Sequence, residues 1–271
     1  MWTDRRSILL NLTGTLCAIA AGRLPSASAQ EISTALPRVY TPTQTRALKL
    51  SYPWRQQITT TLFWVGENPS EKNPTPNHSS SWDPEWAKNY GGVDDPDPKK
   101  RAWDYRPAAF IPKQNPFYCA LPFNDITEPE IARRVIPWQR RGPMARDSRS
   151  LCKSQWIAIR HGRKICYAQW EDCGPFVTDD WSYVFGYARP KNPENNAAGL
   201  NISPSVRDYL KIRSGLRCDW RFVNLVEVPP GPWRRYGANN HFVANTESKE
   251  DQAARIERLK KAREEWLKNS R

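Results

Sequence analysis

From residue 59 the chain becomes β-branched and aromatic. Thr59, Thr60, Thr61, Leu62, Phe63, Trp64 and Val65 run up to Gly66, which predicts a strand ended by the glycine. The clearest local unit lies further on. Residues 155–160 alternate, His161 and Gly162 read as a tight turn, and residues 163–170 return, so a β-hairpin is expected. That register sets Ile157 opposite Cys166 and Gln155 opposite Ala168. Ile157, Ile159, Cys166 and Ala168 then share one face, and Trp156, Ala158, Ile165 and Tyr167 the other. Both faces are largely apolar, as in a closed barrel whose outer side is covered. Residues 115–125 form a short apolar segment between prolines, and residues 127–134 read as one or two helical turns. Ser203 followed by Pro204 is an N-cap and first-turn pair, so a short helix starts there. Residues 219–226 read as a last strand. Near the end, Ser248 with Asp251 opens a capping box. Ile256, Leu259, Ala262, Trp266 and Leu267 then recur at helical spacing, which predicts a C-terminal amphipathic α-helix.

Two stretches resist regular structure. Residues 67–113 hold eight prolines yet carry Trp82, Trp86, Tyr90, Trp103, Tyr105 and Phe110. Residues 177–198 form a second long loop with Trp181, Tyr183, Phe185 and Tyr187. Aromatic mass of that kind argues that both pack on something. Residues 30–57 are polar with scattered prolines and read as an extended leader. Ahead of it, Arg5 and Arg6 precede an apolar stretch over residues 8–21, and Ala27-Ser28-Ala29 forms a small-x-small site. This is the pattern of a cleaved secretory signal peptide over residues 1–29, and it implies a periplasmic or secreted protein. Arg5-Arg6-Ser7-Ile8-Leu9 also resembles a twin-arginine signal.

Composition narrows the partners. With 13 Trp and 39% hydrophobic residues, the chain is not of the disordered class. No apolar run after residue 30 approaches the ~18 residues of a membrane span. The 41 Lys and Arg exceed the 28 Asp and Glu, a formal charge of +13. In an exported protein that balance suits an anionic envelope polymer better than nucleic acid. Export also favours disulfides among Cys119, Cys152, Cys166, Cys173 and Cys218, at most two bonds and one free thiol. No C-x-x-C pair or histidine cluster accompanies them, so neither a metal site nor a cofactor is expected.

These elements, in this order, resemble a known family. The first strand, the 115–125 segment, the hairpin ending in Asp172-Cys173-Gly174-Pro175-Phe176, and Leu200-Asn201-Ile202-Ser203 opening a helix are similar to the rare lipoprotein A-like group. Expansins and family 45 glycoside hydrolases are more distant relatives. The resemblance implies a mainly β fold, a six-stranded double-psi β-barrel over residues 58–236. The long aromatic-rich loops at 67–113 and 177–198 would be insertions, and residues 237–271 a linker with the C-terminal helix.

The resemblance also implies a chemistry. Enzymes of the group are lytic transglycosylases of peptidoglycan. One carboxyl group protonates the leaving oxygen and then accepts the proton of the sugar's own 6-hydroxyl. The family's principal acid stands in the second motif, where this chain has Asn201. An amide binds a hydroxyl but does not shuttle a proton, so catalysis is expected to be weak or lost. Asp172 and Asp83 are the candidate substitute acids. Asn201, Ser203, Trp82, Trp86, Trp181 and Tyr183 are the candidate sugar-binding residues, the aromatics as platforms for pyranose rings. The expected function is recognition or remodelling of cell-wall glycan, above all peptidoglycan. The alternatives are a non-catalytic, expansin-like polysaccharide-binding module and a secreted protein-interaction module.

Overall fold

The computed structural model describes residues 43–45, 49–70, 73–139 and 149–243. The expected signal peptide and C-terminal helix lie outside them. The expected leader is partly regular: β1 (Thr43–Thr45) pairs antiparallel with β2 (Lys49–Ser51). The protein is mainly β. Six strands close into a barrel: β3 (Arg55–Leu62), β4 (Tyr118–Leu121), β5 (Gln155–His161), β6 (Lys164–Cys173), β7 (Leu200–Ile202) and β8 (Arg217–Phe222). Around the barrel the order is β3-β7-β4-β6-β5-β8. Two neighbouring pairs are parallel, β3 with β7 and β4 with β6, and the other four are antiparallel.

The first barrel strand starts earlier than its β-branched run suggests. Arg55 belongs to it because the guanidinium is an anchor. Its Nη2 donates to the Val184 carbonyl at 2.6 Å, its Nε donates to the Tyr183 carbonyl at 3.1 Å, and its plane lies 4.7 Å from the Trp220 ring. The β5–β6 hairpin is present with a different register. His161 pairs with Lys164, so Ile157 lies opposite Ala168 and Gln155 opposite Trp170. The turn residues are Gly162 and Arg163, because Gly162 (φ 55°) takes the first turn position rather than the second. The slip is by two residues, an even number, and so the faces survive. Ile157, Ile159, Cys166 and Ala168 are all fully buried. On the other face Trp156 is covered by Phe242, 5.7 Å away between ring centres, while Ile165 stays exposed.

One core fills the barrel, with Trp170, Phe185 and Phe222 in mutual contact and Trp220 against Phe222. The 177–198 insertion is pinned to it. Asp180 caps the helix Trp181–Val184, accepting from Tyr183 N at 3.3 Å and from Lys191 N at 2.8 Å. The 67–113 insertion packs through a second cluster of Phe63, Val65, Trp86, Tyr90, Tyr118 and Ala120. Beneath it Tyr118 Oη accepts from Val65 N at 2.9 Å and donates to Asp94 at 2.8 Å, and Asp94 pairs with Arg101. Both insertions are therefore ordered by burial of their aromatics and by a buried carboxylate each, Asp180 holding backbone N–H groups and Asp94 holding the Tyr118 and Arg101 side chains.

The expected disulfides do not form. All five described cysteines are free, and four are buried. Burial pushes the thiols of Cys119, Cys152 and Cys166 well above their ordinary value, so they act as small apolar side chains. No helix among the described residues is long and apolar enough to cross a membrane.

Candidate functional site

A groove of about 660 Å³ opens beside the ends of β3, β6 and β7. Asp172, Gly174, Asn201, Thr61, Glu67 and Asn77 contribute to its walls. Asp172 reaches it through an irregularity. Between β4 and β6 the pairing steps from Cys119–Trp170 to Ala120–Asp172, so Glu171 is an extra residue in β6. Such a bulge bends a strand and re-aims the side chains beside it. The following Gly174 has φ 143°, a backbone conformation that favours glycine, and the Gly174–Pro175 peptide is cis. The strand therefore turns away at once, with Asp172 left at its end.

Asp172 is 8% exposed. Its Oδ1 accepts from the backbone of Ser81 and of Cys173, each at 2.8 Å. Burial pushes its carboxyl up to about 6, against the lowering effect of those two donors and of Lys153. Asn201 stands on β7, next to Thr61 across the parallel β3–β7 pair. Thr61 Oγ1 donates to Asn201 Oδ1. That fixes the amide so that its NH2 remains a donor, and Nδ2 lies about 3.6 Å from where a side chain on Gly174 would begin.

Glu67 is the groove residue that sequence reasoning missed. It follows Gly66, five residues past the end of β3, and is largely buried. Asn77 Nδ2 donates to its Oε2 at 2.7 Å, and burial raises its carboxyl above the usual range. The available signal was its place: an acid one residue past the glycine that closes the β-branched and aromatic run of residues 59–65. The groove thus holds two carboxyl groups of raised proton affinity and a set of amide and hydroxyl groups. Among the described residues it has no cationic lining. Such a lining suits a neutral polyhydroxylated ligand and permits proton exchange with it.

The other candidates sit elsewhere. Asp83 does not line the groove. It is buried, and it accepts from Glu85 N at 3.1 Å, Asn89 Nδ2 at 2.8 Å and Gln114 Nε2 at 3.1 Å, a structural carboxylate inside the insertion. Trp82 packs edge-on to Trp170 and donates from Nε1 to Asn124 at 3.2 Å, on the wall of a neighbouring basin. Trp86 is core, between Phe63 and Tyr118. Tyr183 is core too, accepting from Trp220 Nε1 at 2.6 Å and donating to the Gly199 carbonyl at 3.0 Å. Trp181 packs partly buried against the same core. Ser203 is fully buried and caps the helix Pro204–Leu210, its Oγ accepting from Val206 N and donating to the Pro116 carbonyl at 2.8 Å. No cluster of potential metal ligands occurs among the described residues.

No known protein-family model matches the chain, and no curated protein matches it significantly.

Proposed function

We propose that this protein recognises and remodels cell-wall glycan, peptidoglycan first, and that the groove at Asp172 is where the sugar chain lies. The observation that carries the reading is Asp172 itself: a nearly buried carboxyl pushed up to about 6, held by two backbone donors, at the wall of an open groove. Those donors occupy Oδ1, and the other oxygen would be the one to exchange a proton. A carboxyl group poised near 6 can protonate a glycosidic oxygen and then accept the proton of the 6-hydroxyl as the anhydro ring closes. Glu67 replaces Asp83 as the second acid in this reading. The double-psi barrel similar to the rare lipoprotein A-like group is supported by the six-stranded closure with two parallel pairs.

One observation favours a second reading. Asn201, tied to Thr61, offers only a fixed amide where the group's enzymes carry an acid. An amide donor beside hydroxyl groups suits binding without turnover, as in an expansin-like module. Incubation with purified peptidoglycan, followed by mass spectrometry of the soluble products, separates the two. Anhydro-muropeptides above the level of an Asp172→Ala control support the enzyme. Binding to the wall without such products supports the module, and the absence of both products and binding refutes the glycan reading.

A further inference from the structure

Positive charge gathers at the end of the barrel where β5 turns into β6 and β8 begins. The hairpin tip supplies Arg163 and Lys164. The run between the helix Pro204–Leu210 and β8 supplies Lys211 and Arg213, and Arg217 is the first residue of β8. The register of β5 on β8 brings the two runs together. Arg160 pairs with Asp219, so Gly162 at the tip comes level with Arg217, and His161 Nδ1 lies 3.1 Å from the Arg217 carbonyl oxygen. Lys164 Nζ donates to the Tyr209 carbonyl at 2.9 Å, two residues before Lys211. All five cations are exposed.

No acid answers them. Residues 161–168 and 209–218 contain neither Asp nor Glu. The flanking carboxylates, Asp208 and Asp219, are both taken. Asp219 accepts from Arg160 Nη2 at 2.8 Å and from Gln57 N at 2.9 Å. Asp208 pairs with Arg207 at 2.7 Å and lies 4.0 Å from Arg101. Among the described residues none of the five cations forms an ion pair. Two aliphatic side chains stand in the open among them: Ile165 beside Lys164 and Leu216 beside Arg217, 36% and 39% exposed. Backbone pairing holds both there. Ile165 lies across from Arg160 in the hairpin, and the Leu216 carbonyl accepts from Thr60 N at 2.9 Å. A cationic rim alone suits any polyanion. Exposed aliphatic groups between the cations add a demand that a bilayer meets and a dissolved polyanion does not.

We infer that this end of the barrel docks on the surface of an anionic lipid bilayer. The five cations face lipid phosphates, and Ile165 and Leu216 enter the headgroup boundary, a peripheral contact rather than a span. Ser214, inside the same run, is a wall residue of the groove, so docking brings the groove's edge to the membrane. The inference does not depend on what the groove binds.

The test is co-sedimentation of the full chain with vesicles of phosphatidylglycerol and phosphatidylcholine in equal parts, and with vesicles of phosphatidylcholine alone. Binding to the anionic vesicles is expected to weaken as salt is raised, and binding to the neutral ones to be about a hundredfold weaker. Arg163→Gln and Arg213→Gln are each expected to reduce partition into the anionic vesicles about fivefold, the value of one cation near such a surface. Ile165→Ser combined with Leu216→Ser is expected to reduce it about tenfold with the charge unchanged. All four side chains are exposed, so the variants should unfold in urea at the parent's midpoint. Every protein compared has the same two chain ends, so binding through an end would leave the variants equal to the parent. That equality would overturn the inference, as would equal binding to both kinds of vesicle. Loss in the arginine variants with none in the serine variant would overturn it too, and would point to a dissolved polyanion as the partner.

Discussion

Glu171 should make the protein less stable as the pH rises, and Glu171→Gln should remove that effect. Its side chain is 2% exposed, at the extra residue of β6. Oε1 accepts from Ser154 Oγ and from Asn239 Nδ2, both at 3.0 Å, while Oε2 is buried without a partner. Burial pushes the carboxyl from 4.5 up to about 7, opposed in part by Lys153. The unfolded chain therefore gives up this proton near 4.5 and the folded one near 7. Below 4.5 the group is neutral in both states and costs nothing. Between the two values stability falls as pH rises, and above 7 the whole cost is present. At about 1.4 kcal/mol for each factor of ten in proton affinity, that cost is about 3 kcal/mol. Glutamine is neutral throughout and keeps an oxygen for Ser154 and Asn239. Urea unfolding followed by tryptophan fluorescence, at pH 4.5, 6, 7 and 8, measures both proteins. The variant minus the parent should be near zero at pH 4.5 and should rise to about 3 kcal/mol at pH 8. Asp172 titrates in the same range but is common to both proteins, and it cancels in the subtraction. A difference independent of pH, or a variant weaker than the parent at pH 8, would refute the reasoning.

Asp172→Asn should abolish release of anhydro-muropeptides. In the wild type that release should decline as pH rises through about 6, where the acid form of Asp172 is lost; a pH–rate profile checks it. Asn201→Asp restores a proton-carrying group beside Thr61 and should increase product yield in the same mass-spectrometric assay, by about 10²-fold or more if it acts as a general acid. Trp86→Ala removes a fully buried indole from the cluster under the 67–113 insertion and should cost ~3–5 kcal/mol in urea unfolding. Because Trp86 lies outside the groove, wall binding measured while the variant is folded should not change.

The first barrel strand and the β5–β6 hairpin were legible because their signals are local, whereas the three residues of β7 were read only as a motif opening a helix. Residues 59–65 and the 155–170 hairpin carry β-branched and aromatic runs bounded by glycine, and the Ser203-Pro204 start of a helix is a pair of adjacent residues with a defined backbone role. The hairpin register was misplaced by two residues because His-Gly-Arg accommodates two turns. The faces were still assigned correctly, since pleat parity depends only on an even shift. The cysteines misled because compartment argues for bonding in general, whereas each thiol's partner is decided by packing.

The aromatics of the two insertions show where the sequence runs out. Trp82, Trp86, Trp181 and Tyr183 are alike in composition and in loop context, yet one lines a basin, two are core and one is half-covered. Their sequence neighbours do not decide this; strands far along the chain do, as Tyr118 does for Trp86 and Trp220 for Tyr183. The carboxylates divide in the same way. Asp83, Glu67 and Asp172 all sit near strand ends or turns, but Asp83 is consumed by Glu85 and Asn89 of its own insertion and by Gln114 just beyond it, while Asp172 is held by the backbone of Ser81, 91 residues earlier. Neighbouring residues were enough to specify the first strand, where the hairpin lies and which motif ends it, because strand propensity and turn chemistry are local properties. Tertiary structure alone decided which acids share a groove and how strongly each holds its proton, because burial and hydrogen bonding are made by residues that only closure of the barrel brings together.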